Sequence, residues 1–385
     1  MSKVESCATT YIVPLPRDDR SRNVARMRIV LSNSSSRWGG VHKVTDILAR
    51  GLQERGHEVI VFGYPGGMLE ERMQPVAPFE PILKGMDFHP AAVWRAASAL
   101  RRHRAEVVLT LMRKDTTTTA LAAKALGIPV VVRHANQQRL GRGPYWRFLY
   151  GTLPAMHVTN AEATRDTLLD SAKWLAPEQV KVIYNGVDPA PFESAEPLEL
   201  GLPGKAVVLG YAGSFERRKG VLDLARAWCR VADARPEAHL VLAGKGKMEE
   251  EMRAILGDAP RVHWLGYRSD VPRFICSIDV LVLPSHVEGA PNIVLEAMCG
   301  GVAIVATEVS GTPELARDGI EARLVPARDE DRLVKGLIEV LSNGSMREEM
   351  GLAGRKRVRE KFTLAEMLRA YEEAFLAELA PKTHK

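Results

Sequence analysis

Glu288 and Glu296 stand with seven residues between them in the stretch SHVEGAPNIVLEAMCGG. An ionised carboxylate only accepts hydrogen bonds, so two of them suit hydroxyl donors rather than a phosphate. Gly289, Ala290, Pro291 and Asn292 follow the first. Proline is favoured at the first helical position, so the sequence predicts a helix starting near Pro291 with Glu296 in its early turns. The apolar run VLVLPS just before it predicts a strand. A strand, a glycine-containing loop and a helix N-terminus make an anion site, because free backbone N–H groups and the helix dipole point the same way. The dipole adds about 0.3–1 kcal/mol at an exposed site and roughly 2 when partly buried. Phosphate at the helix end and hydroxyls at two carboxylates together describe a nucleotide-sugar site.

Other stretches carry further candidates. In GYAGSFERRKGVLDLARAW a strand is expected to end at Gly213 and a helix to start after Gly220, with Arg217, Arg218 and Lys219 at the turn. Cations beside a departing pyrophosphate stabilise the charge that develops as a glycosidic carbon–oxygen bond breaks. Arg217 reads as a solvated residue. In WGGVHKV, Gly39 and Gly40 let the backbone approach a ligand closely, or simply make a tight turn. His134 closes the strand-like VVVRHA; as a neutral imidazole it could bond a sugar hydroxyl, or it is a structural histidine. Arg133 beside it is a candidate for an acceptor phosphate or carboxylate. NGVD (Asn185 to Asp188) reads as a structural turn with positive φ. Asp329 to Asp331 has the Asp-x-Asp form of a metal motif, but its place at a helix start reads as capping, so no metal site is expected.

The segment around Glu288 and Glu296, continued by EAMCGGVAIVATEVSGTPEL, resembles the family-4 retaining glycosyltransferases of the GT-B fold, among them those that build bacterial lipopolysaccharide and other cell-surface glycans. The resemblance covers Met27 to Leu379 and is most specific toward the C-terminus. It implies an α/β chain of two Rossmann-like domains with the active site in the inter-domain cleft. It implies transfer of a hexose-type sugar, with retention and without metal or other cofactor, from a nucleotide-diphosphate donor (UDP favoured over GDP) to a lipid-linked or saccharide acceptor. Glu296 would bind the nucleotide ribose and Glu288 a sugar hydroxyl. Gly289, Ala290, Pro291 and Asn292 would hold the sugar or phosphate, with Lys219 and Arg218 on the diphosphate. The Gly39–Gly40 loop would lie over the donor diphosphate and the acceptor, and His134 near the donor sugar. Tyr267 and Arg268 match the loop that holds the base. Ser214 stands where the family usually has Arg, and Arg218 is the candidate to supply that charge. A sugar-nucleotide epimerase on the same architecture and a non-catalytic nucleotide-sugar-binding scaffold are the alternatives; a UDP-sugar without acceptor separates an epimerase, which would change the sugar without releasing UDP.

The 385 residues, 46% hydrophobic and 26% charged, suffice for two domains with separate cores. The net charge of +6 fits phosphorylated substrates or an anionic membrane surface; its scatter and the lack of a motif argue against nucleic acid. No apolar run reaches the roughly eighteen residues a membrane helix needs. The four cysteines, Cys7, Cys229, Cys276 and Cys299, show no metal or redox spacing, and a cytoplasmic, reducing location is expected, with docking on the inner face of a membrane as a further possibility. Docking would use RLGRGPYWRFLYG (Arg139 to Gly151), where arginines interleave with aromatics; the alternative is a helix burying Trp146, Leu149 and Tyr150.

Apolar runs alternate with helical patterns along the chain, which predicts βα series and parallel sheets. Strands are expected at Met27 to Asn33, HEVIVFG, Glu106 to Leu111, Pro129 to Ala135, Ala155 to Asn160 and Val180 to Gly186. A second series follows at AVVLGYAG, AHLVLAGKG, VHWLGY, DVLVLPS and VAIVATEV. The expected boundaries are a weakly ordered extension at 1–26, an acceptor domain at 27–190, a linker at 191–205 and a donor domain at 206–362. The segment 363–385 would be a crossing helix and tail. That helix would present Leu364, Met367, Leu368, Tyr371, Phe375 and Leu379 on one face.

Overall fold

The computed structural model describes residues 25–36, 39–84 and 89–380. Most of the expected extension, Cys7 and Trp38 of the glycine loop lie outside them. The chain forms two compact units that exchange at Asn185/Gly186 and at Leu364/Ala365. The first division precedes the Pro-rich stretch expected as a linker.

The first unit holds a seven-stranded parallel sheet: β1 (Arg28–Asn33), β2 (Glu58–Gly63), β3 (Phe79–Glu80), β4 (Val107–Thr110), β5 (Val130–His134), β6 (Met156–Thr159) and β7 (Val180–Val182), in the order 3-2-1-4-5-6-7. The second holds six: β8 (Val207–Ala212), β9 (Ala238–Ala243), β10 (Val262–Gly266), β11 (Val280–Leu283), β12 (Ala303–Thr307) and β13 (Ala322–Val325), in the order 10-9-8-11-12-13. Central strands such as VVLT and AIVAT are buried at every position, which is why they read as continuous apolar runs. Two edge strands, β3 and β13, escape the sequence reading. The first is two residues long between prolines, and the second mixes Arg323 into its apolar residues.

Each sheet packs on its own core. Phe62, Leu100, Val108 and Val132 belong to the core of the first unit, and Trp228, Leu240, Val305 and Leu337 to that of the second. Burying one such side chain stabilises by about 1.5–3 kcal/mol. From Ala365 the C-terminal helix (Leu364–Leu379) is part of the first unit, and Leu368, Tyr371 and Phe375 are fully buried there, while Leu379 is partly exposed. A Cβ on Gly51 would stand 2.4 Å from Leu368, so this helix seats against a glycine. Buried Glu372 accepts from Arg55 Nε at 2.6 Å and pairs with His57 Nε2 at 2.9 Å. NGVD differs from expectation: neither Asn185 nor Gly186 has positive φ. Gly186 is needed for closeness, because a Cβ would lie 2.5 Å from the Thr363 carbonyl.

The strand orders reverse between β1 and β4 and between β8 and β11. Open parallel sheets bind ligands beyond the carboxyl ends of the strands at such reversals.

Candidate functional site

In the second unit the loops after β8 and β11 flank the reversal, and they bring Lys219 and Glu288 together. Gly220 has φ +64°, and a Cβ there would sit 1.8 Å from the Pro284 carbonyl, so only glycine lets the Arg217–Lys219 turn press on the end of β11. Lys219 Nζ donates to both oxygens of Glu288, at 2.6 and 2.8 Å. Ser285 Oγ donates to the same carboxylate at 2.6 Å, and the Glu288 N–H donates to Ser310 Oγ at 3.2 Å. The pair is secluded: the Glu288 side chain is 5% exposed and that of Lys219 18%. His286 ties the two loops a second time, its N–H donating to the Arg218 carbonyl at 2.8 Å and its Nε2 meeting Asp223 at 2.5 Å.

The helix Asn292–Gly300 starts directly after Pro291 and carries Glu296, which is buried. Gly289 accepts from the Gly311 N–H at 2.9 Å, so the SGTPEL turn braces the loop entering that helix. Gly289, Ala290, Pro291 and Asn292 thus lie along the chain between the two carboxylates, at the N-terminus of that helix. Ser285, His286 and Ser310 are missing from the sequence reading. Ser285 and His286 sit in the quoted motif, but nothing in their spacing shows that they brace Glu288.

The other expected donor residues are less converged. Arg218 is about half exposed and pairs with Glu216 at 2.7 Å, while Arg217 is largely solvated. Ser214 lies in the loop after β8 and accepts from the Tyr211 hydroxyl through its carbonyl at 3.0 Å. Past β10, Tyr267 is half exposed and Arg268 is held by Asp270. Asp329 caps the helix Glu330–Ser342 by accepting from the Arg332 N–H at 2.9 Å, and Asp331 pairs with Arg230 at 2.8 Å. Among the described residues no group of three or more His, Cys, Asp or Glu is placed to hold a metal ion.

In the first unit, Asp115 joins the loops on either side of the β1/β4 reversal. Its carboxylate accepts from the N–H groups of Ser34 at 2.9 Å and Met112 at 2.8 Å. Burial pushes its pKa up to about 7 against the opposing pull of those bonds. Gly39 and Gly40 open the helix Gly40–Glu54 and are exposed; neither has positive φ, and a Cβ on Gly40 would meet nothing within 4 Å. Local structure therefore does not demand glycine at position 40.

His134 is 3% exposed and Arg133 4%. Arg133 donates through Nε to the Tyr371 hydroxyl at 3.0 Å and through Nη2 to Asn185 Oδ1 at 2.8 Å. These are the contacts of a buried tie between β5, the end of the unit's first stretch and its C-terminal helix. They leave Nη1 without a protein partner. His134 meets His157, with Nε2 3.0 Å from Nδ1. Burial, then the neighbouring His157, holds the His134 pKa well below the ordinary imidazole value, and burial brings His157 down to about 4.

The Arg139–Gly151 stretch divides between both readings. Leu149 and Tyr150 are buried and Trp146 stacks on Tyr150 with ring centroids 5.8 Å apart, while Tyr145, Phe148, Arg139, Arg142 and Arg147 are exposed. No helix among the described residues is long and apolar enough to cross a membrane. Cys299 is buried, with its thiol pushed up to about 12 by burial, and Cys229 and Cys276 are partly buried and free.

Comparison with known proteins places this geometry. A family model described as Glycosyl transferases group 1 matches residues 206–343, and one described as Glycosyltransferase Family 4 matches residues 38–191. The chain is 26% identical over 196 residues to LpsE of Rhizobium meliloti, a lipopolysaccharide core biosynthesis glycosyltransferase, covering 50% of this chain and 56% of LpsE. It is 30% identical over 234 residues to the alpha-maltose-1-phosphate synthase of Mycolicibacterium smegmatis, covering 54% and 59%. The chain thus spans between half and three fifths of the length of these curated relatives. Anabaena HepE, crystallised in complex with UDP, superposes with a TM-score of 0.76 at 18% identity over 91% of this chain and 100% of that one. WaaG, a glycosyltransferase involved in lipopolysaccharide biosynthesis, superposes at 0.69 and 17% identity over 91% and 99%. At these identities the likeness shows the fold, which is GT-B.

Proposed function

We propose, for a chain that belongs to the group 1, family 4 glycosyltransferases, that it moves a hexose-type sugar from a nucleotide-diphosphate donor to a lipid-linked or saccharide acceptor, with retention and without metal. The observation that carries this reading is the buried Lys219–Glu288 pair beside the N-terminus of the helix that holds buried Glu296. A diphosphate at that N-terminus would draw Lys219 toward itself and free Glu288 for a sugar hydroxyl. Glu296 would accept from the ribose hydroxyls. Arg218 would add charge from the same turn, and the backbone at Gly289 to Asn292 would hold the sugar or phosphate. The departing phosphate would take the acceptor's proton on the face it leaves from, so no side chain is required as general base.

The UDP bound to HepE supports a uridine donor. The naming of LpsE and WaaG supports an acceptor in lipopolysaccharide or another cell-surface glycan. Exposed Tyr145 and Phe148 among Arg139, Arg142 and Arg147 support docking on an anionic membrane from the cytoplasmic side, where each nearby basic residue adds about 1 kcal/mol. Incubation with UDP- and GDP-sugars in EDTA tests the reaction: UDP release that needs an acceptor and survives chelation supports it. Turnover lost in EDTA and restored by Mn²⁺ overturns the metal-free reading. Co-sedimentation with anionic vesicles tests docking, which should fade with salt and on neutralising Arg142 and Arg147.

A further inference from the structure

Behind the end of β5, a line of hydrogen bonds in the first unit runs from the Tyr150 carbonyl through His157 to His134. Tyr150 lies in a turn of π-helical pairing, Phe148–Thr152, where the Leu153 N–H reaches back to Phe148. Its carbonyl has no ordinary helical partner. Four residues on stands Pro154, which lacks an N–H, and five on the Ala155 N–H is given to Val130. His157 Nε2 takes that carbonyl at 2.8 Å. A carbonyl only accepts, so His157 carries its proton on Nε2. Being neutral, it offers Nδ1 as a lone pair. His134 Nε2, 3.0 Å away, must then be the donor, and His134 too is neutral. This leaves His134 Nδ1 as an acceptor. Gln138 neighbours the His134 ring and the Tyr150 hydroxyl, and Thr116, in a second π-paired turn, Thr116–Ala120, neighbours that hydroxyl. Turns of this pairing are uncommon and gather at functional sites.

We infer that His157 is a positioning residue: it fixes His134 as the Nε2–H tautomer and so leaves His134 Nδ1 as an acceptor at the end of β5. Gln138 is half-buried and follows the carboxyl end of β5, whereas Thr116, His134, Tyr150 and His157 are buried, so it is the residue of this cluster that a hydroxyl-rich ligand can reach. The functional half of this inference rests on the glycosyltransferase reading. The tautomer half does not.

The experiment is ¹⁵N-histidine NMR of the full-length chain at pH 7, with donor turnover measured on the same variants, and His134→Gln used for assignment. In the wild type both rings should show a protonated Nε2 and a bare Nδ1. A protonated Nδ1 on His134 overturns the inference. His157→Asn keeps an oxygen where Nδ1 stood and should retain the His134 tautomer and most of kcat/KM. His157→Leu removes the acceptor; it should mix the His134 tautomers and lower kcat/KM about tenfold, with UDP affinity within twofold. Mixed tautomers with unchanged kcat/KM deny the positioning role. If His157→Leu does not fold, the wild type and His157→Asn still decide: lost activity in the latter with the tautomer kept overturns the proposal. A wild type that turns over no nucleotide sugar counts against the proposed function, while its nitrogen shifts still test the tautomer.

Discussion

The two units place different kinds of polarity at the carboxyl ends of their sheets. In the second, the secluded functional groups are paired: Lys219 donates to Glu288, with Ser285 completing the carboxylate. In the first, buried Arg133 is tied to Tyr371 and Asn185, while the histidines beside it avoid charge. His134 and His157 are held neutral, and Asp115 has its pKa pushed up to about 7, all chiefly by burial. On the proposed reading the second unit handles the charge of the donor and also accepts hydroxyls at its carboxylates, while the His134–His157 pair of the first offers only neutral hydrogen bonds. Similar substitutions should therefore fail in different ways on the two sides.

The largest effect is expected at Lys219. Lys219→Ala should cut kcat by about 10²–10³, the usual loss for one donor to developing charge. It should also destabilise, because stranding one member of a buried ion pair costs about 3–5 kcal/mol. Adding Glu288→Gln should recover much of the stability but not the turnover. Urea unfolding beside kinetics separates these, and a double variant that regains turnover would show the pair to be purely structural.

Next comes Glu296→Ala, which removes a charged acceptor. Hydrogen bonds to charged groups are worth about 1.5–3 kcal/mol, so nucleotide affinity should fall roughly tenfold to a hundredfold. Calorimetry with UDP measures it, and an unchanged affinity with the fold intact removes Glu296 from the donor site.

Asp115 sharpens the contrast from the other side. Its folded pKa is about 7 against an ordinary 3.8, so the folded chain keeps a proton that the unfolded chain has lost. The stability this group contributes is complete below about pH 4 and is lost as pH rises through 7. Asp115→Asn should flatten that part of the pH dependence. The difference in urea midpoint between variant and wild type should change between pH 5 and pH 8; a constant difference means Asp115 is ionised throughout.

The smallest effect is expected at Gly40. Gly40→Ala should leave stability unchanged or raise it by up to about 1 kcal/mol, since the position has ordinary φ and open space around a Cβ. If the backbone there meets a ligand, KM should rise in a protein that melts no lower. Unchanged kinetics would make Gly39 and Gly40 a plain helix entry.

The sequence exposes these sites unequally, for a physical reason. Glu288, Pro291, Asn292 and Glu296 lie on one loop and helix, so local rules of capping and spacing reach them. The strands of both sheets are legible because buried parallel strands are apolar throughout, whereas edge strands such as β3 need not be. The Lys219–Glu288 bond spans 69 positions and depends on Gly220 touching Pro284, which no local pattern reports. His134 was legible as a candidate but not as one half of a histidine pair, because its partner lies 23 positions on, on β6. Arg133 reads in sequence like a ligand for an anion, but its bonds to Tyr371 and Asn185 span 238 and 52 positions, and an arginine's charge does not disclose that it is buried.

Hydrogen–deuterium exchange of the full-length chain with and without UDP tests the division of labour most directly. The account predicts protection centred on residues 213–220 and 286–296 of the second unit, abolished by Glu296→Ala. UDP that binds yet protects neither segment, or only residues of the first unit, would contradict it.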